Sequence, residues 1–250
     1  MYLYDDGIPI HLEYEGPRSN DCAVPLVILI HGLAGNTEEP HLLAAAEAIR
    51  ESGFAVLRAE MYGHGKSGGT FREHTLFKWI SNAIRVIDYA RSLDHITGIY
   101  LCGHSQGGLL AMLAAAMKRD VIRGMILLSP ACNIPEDTRN GKLLEVSFDP
   151  DHVPDELVME EGGALLGTYV RVAQTIRVEE TAPKFTGPVL IIHGEADDCI
   201  PLEVSIEAAK MYENCMLVQI PEDNHVFDFH TPEMTRTMKS WLKDQREKLQ

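Results

Sequence analysis

The stretch that decides the fold of this chain is residues 98–117, which read GIYLCGHSQGGLLAMLAAAM. The first five residues form a short apolar run that predicts a strand. Residues 109–117 are almost wholly apolar and long enough to predict a helix. A strand that passes straight into a helix through glycines is typical of an α/β protein, so the rest of the chain should alternate in the same way.

Strand-length and helix-length stretches do alternate on both sides of residues 98–117. The run VPLVILI, residues 24–30, predicts a strand that is buried on both faces. Thr231-Pro232 predicts the N-cap and first turn of a C-terminal helix. The alternation predicts a mostly parallel sheet covered by helices. The other predicted strands are 54–58, 124–128, 188–192 and 215–220, and the other predicted helices are 42–50, 76–90 and 202–211.

The strand signal lapses between residue 131 and residue 186. Loops of this length without structure are uncommon unless they are functional. We therefore expect a small cap, residues 131–186, inserted over the active-site edge of a core formed by residues 1–130 and 187–250. The alternative is a long surface excursion. Prolines cluster early in the stretch, at Pro135, Pro150 and Pro154, and a helical run follows over residues 169–178.

A Gly-x-Ser-x-Gly pattern, which forms the sharp turn under the nucleophile of many hydrolases, occurs twice. Residues 103–107 have a predicted strand directly before them and a predicted helix directly after them. Residues 65–69 have neither, because they lie in a glycine-rich loop. Ser105 is therefore the predicted nucleophile, and Ser67 is predicted to serve the turn.

A serine nucleophile needs a histidine base and an acid that orients the base, here in the chain order serine, acid, histidine. Asp197 and Asp198 both follow the predicted strand 188–192. Only His225 and His230 lie beyond them. His225 is the predicted base because it follows the last strand directly, whereas His230 adjoins the C-terminal helix.

Two backbone N–H groups should form the oxyanion hole. One belongs to Gln106, the residue after the nucleophile. The other should come from the loop after an earlier strand, which reads His31-Gly32-Leu33-Ala34-Gly35 and makes Leu33 the predicted donor.

Five motifs in this order resemble the α/β-hydrolase superfamily. They are His31-Gly32, the loop YGHGKS over residues 62–67, GHSQG over 103–107, His193-Gly194 through Asp197 to Pro201, and His225. The resemblance implies an α/β-hydrolase fold, Asp197 as the acid, and a structural role for residues 62–67. The aspartate that usually precedes the Gly-His-Gly loop is Glu60 in this chain.

Within the superfamily the chain is similar to the bacterial feruloyl (cinnamoyl) esterases, which carry a compact insertion between sheet strands six and seven. The position of the insertion and the stretches LFKWI (76–80) and YVRVAQ (169–174) carry this resemblance. It implies a serine carboxylic ester hydrolase that works through an acyl-enzyme, acts on hydroxycinnamate esters and needs no metal or organic cofactor. A monoacylglycerol or other lipid-type esterase, a thioesterase, and a hydrolase fold that only binds small molecules remain alternatives.

A hydroxycinnamate carries a phenolic hydroxyl that needs a hydrogen-bond partner once it is buried. Within the predicted cap, Tyr169 is the first candidate for that partner. Asp137, Thr138 and Gln174 are the further candidates.

Composition excludes several classes of protein. Of the 250 residues, 45% are hydrophobic and 24% are charged, as in ordinary globular proteins. The net charge of −15 repels phosphate backbones and disfavours a nucleic-acid partner. No apolar run reaches the ~18 residues of a membrane-spanning helix. The sequence leaves open whether the chain is a monomer or a homodimer.

The five cysteines are odd in number and widely spaced, which disfavours a disulfide framework or a zinc site. We expect buried thiols in a reducing compartment. The chain begins Met-Tyr-Leu-Tyr-Asp-Asp, without the basic and apolar regions of a signal peptide, which predicts a cytoplasmic location.

Overall fold

The computed structural model describes residues 1–17, 23–159 and 163–248. In chain order the strands and helices are β1 Tyr2–Asp5, β2 Ile8–Glu15, β3 Val24–Ile30, α1 Pro40–Glu51, β4 Ala55–Ala59, α2 Leu76–Arg91, β5 Ile96–His104, α3 Gln106–Met117, β6 Ile122–Leu128, α4 Ile134–Arg139, β7 Lys142–Leu143, β8 Val146–Ser147, β9 Glu156–Val158, β10 Ala164–Leu166, α5 Gly167–Gln174, α6 Val178–Thr181, β11 Val189–Gly194, α7 Leu202–Ala209, β12 Cys215–Ile220 and α8 Thr231–Glu247. Short 3₁₀ helices cover Phe71–Glu73 and Ala182–Lys184.

The central sheet of the described residues has the strand order β1-β2-β4-β3-β5-β6-β11-β12. In this sheet order, each neighbouring pair from β4 onwards is parallel. Strand β2 pairs in antiparallel fashion with both β1 and β4. The predicted mostly parallel sheet is therefore present. The antiparallel β1–β2 hairpin was not predicted from the sequence. Its signal is Asp6-Gly7, where both residues have positive φ as a tight hairpin turn requires.

Strand β3 shows why the sheet is buried on both faces. All seven of its residues are buried. Leu26, Ile28 and Ile30 pack into the apolar cluster that contains α2 and α3, and Val27 and Leu29 pack into the cluster that contains α1 and α8. Successive side chains of a strand point to opposite faces, so one continuous apolar run supplies both layers of the core.

Helix α3 is buried along almost its whole length, from Gln106 to Ala116. It packs against β5 and β6 on one side and against α2 and α6 on others. A helix enclosed in this way needs no polar face, which explains its nearly all-apolar sequence. Its N-terminus is thereby held firmly at the carboxyl edge of the sheet.

The insertion lies between β6 and β11, the sixth and seventh sheet strands in chain order. It contains α4, two short hairpins, α5 and α6, so this stretch is built from regular elements. Leu165, Tyr169 and Val170 join the same apolar cluster as α3. An exposed ion pair between Arg72 and Glu156 at 2.6 Å also ties it to the core. That residues 131–186 act as a cap remains a prediction.

Two details differ from the sequence analysis. Thr231 is the first residue of α8 and His230 occupies the N-cap position. The Thr231 hydroxyl donates to the carbonyl oxygen of Phe227 and accepts no hydrogen bond from an N–H group of the first helical turn. The prediction of buried thiols holds for Cys102 and Cys132 but is wrong for Cys199, which is exposed. Cys22 lies outside the described residues.

Candidate active site

Ser105 lies at the sharp turn between β5 and α3 with φ 53° and ψ −122°. This conformation is strained for any residue other than glycine, and such strain is concentrated at functional sites. The flanking glycines make the turn possible. A Cβ atom on Gly103 would overlap the carbonyl oxygen of Gly107, and one on Gly107 would overlap that of His31. The spacing of the motif therefore follows from the close approach of three backbone segments.

Ser67, in the second copy of the motif, is a structural residue. Its hydroxyl donates to the backbone oxygen of Glu60 at 2.6 Å and accepts from the backbone N–H of His11 at 2.8 Å. The Glu60 carboxylate accepts from the Lys66 N–H at 2.6 Å and contacts His11 at 3.1 Å. A Cβ atom on Gly65 would overlap this carboxylate, so the glycine makes room for the longer side chain at position 60.

We expect Ser67→Ala to lower the free energy of unfolding by about 1–2 kcal/mol, the usual cost of losing hydrogen bonds that hold a partly buried loop. Ester hydrolysis should stay within a few-fold of the wild type, because the Ser67 hydroxyl is engaged by the loop itself. Urea unfolding and steady-state assays measure the two effects. A loss of hydrolysis with unchanged stability would contradict the structural role.

The structure brings His225 and Asp197 together. Nδ1 of His225 lies 2.7 Å from Oδ2 of Asp197. A carboxylate can only accept, so the Nδ1 atom carries the proton and Nε2 keeps its lone pair, as a general base requires. Asp198 is exposed to solvent, whereas the side chain of Asp197 is fully buried.

Asp197 is ionised in a buried setting because it accepts several hydrogen bonds. Burial by itself would raise the pKa of Asp197, but hydrogen bonds from His193 and His225 outweigh it and hold the pKa well below the usual range. The backbone N–H groups of Cys199 and Ile200 donate to Oδ1 at 2.9 and 2.8 Å. The carboxylate is therefore fixed in position and charged across the pH range in which histidines titrate.

The predicted oxyanion loop lies against the nucleophile. A Cβ atom on Gly32 would stand 3.1 Å from Cβ of Ser105, a distance that only glycine accommodates comfortably. The N–H of Ala34 is already used, since it donates to Nε2 of His64 at 3.1 Å. Leu33 lies between these two residues and remains, with Gln106, a predicted oxyanion donor.

Three buried histidines support this loop. The sequence motifs include His31 and His64, whereas no sequence signal pointed to His74. His31, His64 and His74 surround the Trp79 ring with centroid distances of 5.0, 4.9 and 5.5 Å. His31 accepts from the N–H of Met61 at 3.0 Å. Burial lowers the pKa values of His31 and His74 to about 3, so both stay neutral near pH 7. The YGHGKS motif could have indicated this role, because its histidine is His64.

The four predicted substrate residues of the insertion have different surroundings. The Thr138 hydroxyl donates to Pro135 O at 2.9 Å, and the Gln174 amide donates to Thr138 O and Pro150 O at 3.1 and 3.0 Å. Both therefore bind the backbone of the insertion itself. Asp137 accepts from Asn133 at 2.7 Å and is partly buried, which raises its pKa.

Tyr169 is fully buried and hydrogen-bonded to Gln106, the residue after the nucleophile. Its hydroxyl donates to Oε1 of Gln106 at 2.6 Å. Because that bond uses the only proton of the hydroxyl, Tyr169 could bind a ligand only by accepting a hydrogen bond. Contact between Tyr169 and a substrate stays a prediction, restricted in this way to ligands that donate.

No group of three or more His, Cys, Asp or Glu side chains is arranged to hold a metal ion in the part of the chain that the structure describes. Within the same residues, no helix combines the length and the apolar character needed to cross a bilayer.

Comparison with known proteins gives close and distant relatives. The structure of Est1E from Butyrivibrio proteoclasticus with ferulic acid bound is 51% identical, covers 99% of both chains and superimposes with a TM-score of 0.96. Protein ABHD12B of Homo sapiens is 26% identical over 88% of this chain. The palmitoyl-protein thioesterase ABHD10 of Homo sapiens is 24% identical over 74% of it. This chain spans 61% of the length of each of these two human relatives.

The family model described as serine aminopeptidase, S33 (Hydrolase_4) matches residues 22–160, more than half of the chain. The sheet order, the turn at Ser105 and the match to Est1E agree with it. The chain belongs to this family and has the α/β-hydrolase fold that its motifs predicted.

Proposed function

We propose that the chain is a serine carboxylic ester hydrolase that cleaves hydroxycinnamate (feruloyl) esters. The observation that carries the proposal is the pairing of a strained Ser105 turn with a His225–Asp197 hydrogen bond at the same sheet edge. The ferulic acid bound to Est1E, at 51% identity, supports the choice of acyl group. A cytoplasmic location is part of the proposal and is tested by fractionating the source cells.

Ser105 attacks the ester carbonyl while Nε2 of His225 takes the hydroxyl proton. Asp197 holds the imidazole in the required tautomer and stabilises it when protonated. The N–H groups of Leu33 and Gln106 stabilise the oxyanion of the tetrahedral intermediate. His225 then gives its proton to the leaving alcohol, and water, activated by the same histidine, releases the acid from Ser105.

A substrate panel tests the proposal. Methyl ferulate and methyl p-coumarate should give higher kcat/KM values than monoacylglycerols and short aliphatic p-nitrophenyl esters. A palmitoyl thioester belongs in the same panel because one relative is a palmitoyl-protein thioesterase. Preference for the long acyl chains would favour the lipid or thioester alternative, and failure to hydrolyse any ester would favour a binding protein.

Tyr169→Phe should lower kcat/KM for methyl ferulate. The corresponding loss of transition-state stabilisation should be about 1–2 kcal/mol, the contribution of one buried hydrogen bond. The phenolic hydroxyl of ferulate would donate to Tyr169, which already donates to Gln106. A 4-O-methylated ferulate ester cannot donate, so the substitution should affect it less. Steady-state kinetics with the two esters measure the difference.

p-Nitrophenyl acetate is the control ester, since its acetyl group carries no phenolic hydroxyl to donate to Tyr169. If Tyr169→Phe reduces hydrolysis of acetate and ferulate esters equally, then Tyr169 acts through Gln106 alone, and its contact with substrate is disproved.

A further inference from the structure

His104, the residue before the nucleophile, makes a hydrogen bond whose role the reaction scheme does not include. Its ring is buried, and its Nε2 atom lies 3.0 Å from the backbone oxygen of His225. The two rings lie 4.8 Å apart between centroids. A carbonyl oxygen can only accept, so Nε2 of His104 carries the proton.

This bond gives His225 a second point of attachment. The first, from its Nδ1 atom to Asp197 at 2.7 Å, fixes the ring orientation. The second fixes the main chain from which the ring extends. His225 lies in the loop between β12 and α8, where regular hydrogen bonding does not hold the backbone. Together the two bonds determine where Nε2 of His225 lies.

The chain position of His104 gives the second bond its significance. His104 ends β5 and is covalently joined to Ser105. The bond therefore fixes the base relative to the nucleophile itself, and not relative to a distant part of the fold. We infer that His104 is a positioning residue that sets the distance between Ser105 and His225, an inference that rests on the proposed function.

The ring of His104 is suited to this role because it stays neutral. Burial, with smaller contributions from His41 and His225, holds the pKa of His104 well below its usual range. A neutral ring keeps its single Nε2 proton on the carbonyl of His225. It also adds no positive charge beside the imidazolium that His225 becomes during the reaction.

The opposite edge of the ring makes a clean test possible. Nδ1 of His104 has no hydrogen-bond partner among the described residues. It lies where a Cβ atom on Gly32 would approach to 3.2 Å. A substitution that keeps a donor at the Nε2 position therefore loses no other hydrogen bond. His104→Gln places an amide N–H near Nε2, whereas His104→Asn is shorter and cannot reach His225.

We expect His104→Asn to lower kcat about 10- to 100-fold with KM changed no more than about twofold, because a misplaced base slows chemistry without weakening binding. His104→Gln should retain kcat within about threefold of the wild type. The kcat and KM values of both variants are measured with p-nitrophenyl acetate and methyl ferulate. Thermal unfolding of each variant is the folding control. Equal losses in the two variants, no loss in either, or a rise in KM alone would overturn the inference.

Nitrogen-15 NMR of the wild-type imidazoles keeps the inference testable even if a variant does not fold. His104 should be the Nε2–H tautomer with a slowly exchanging proton, and an Nδ1–H tautomer would overturn the proposal. The rate at which a fluorophosphonate labels Ser105 reports the serine–histidine pair without any ester. The wild type could be labelled rapidly and His104→Asn more slowly while neither hydrolyses any ester of the panel. That result would disprove the proposed substrate but support the role of His104.

Discussion

Ser105→Ala should reduce kcat for ester hydrolysis by about 10⁴-fold or more, since it removes the nucleophile and leaves only binding and oxyanion stabilisation. The fold should survive, because alanine is no larger than serine and introduces no new group into the turn. The measurement is kcat for methyl ferulate beside the free energy of unfolding from urea titration.

Ser67→Ala is the matched control, since it changes the same residue type in the same sequence pattern. It should lose stability and keep hydrolysis, which is the reverse of the result for Ser105→Ala. A fluorophosphonate should label the wild type and Ser67→Ala but not Ser105→Ala. Hydrolysis by Ser105→Ala near the wild-type rate would remove Ser105 from the mechanism.

Acidification should destabilise the folded chain strongly between pH 6.5 and pH 5. Burial lowers the pKa values of His31 and His74 to about 3 and that of His41 to about 4. In the unfolded chain each histidine has its ordinary pKa near 6.5. Below that pH the unfolded state binds protons that the folded state excludes, so stability is complete above pH 6.5 and is lost as the pH falls towards the folded-state values.

The expected loss at pH 5 is about 2 kcal/mol for each of the three histidines. Their sum, about 6 kcal/mol, is comparable to the whole stability of a typical domain, which is about 5–15 kcal/mol. Burial raises the pKa values of the half-buried Glu39 and Asp137. The folded state therefore binds protons at these two carboxylates more readily than the unfolded state, which offsets part of the loss of stability at low pH. Urea titrations at pH 7.5 and pH 5 measure the net difference.

His41→Phe isolates one contribution to this pH dependence. The ring of His41 packs edge-on against His104 at 4.3 Å between centroids, an arrangement that a phenyl ring also favours. Its Nε2 atom has no hydrogen-bond partner in the described part of the chain. The difference in unfolding free energy between the two pH values should shrink by about 2 kcal/mol in this variant. An unchanged difference would show that His41 is protonated in the folded state.

The sequence alone predicted the elements that local chemistry specifies. Continuous apolar runs such as residues 24–30 mark strands buried on both faces, because both faces must then avoid water. Ser105 could be separated from Ser67 by its neighbours alone, since only one copy of the motif joins a strand to a helix. The β1–β2 hairpin was missed although Asp6-Gly7 signals its turn, because β1 has only four residues and β2 mixes apolar and polar residues.

Only the tertiary structure decided which side chains meet. The contact between His225 and Asp197 spans 28 residues, the contact between His104 and His225 spans 121, and no local pattern encodes either distance. The same holds for Tyr169, which was predicted from the sequence as a substrate partner and whose hydroxyl donates to Gln106, 63 residues away. Spacing along the chain determines strands, helices and turns through interactions over a few residues. The partner of a buried polar group depends on how those elements pack, because a buried group is satisfied only by a partner that the packing brings within reach.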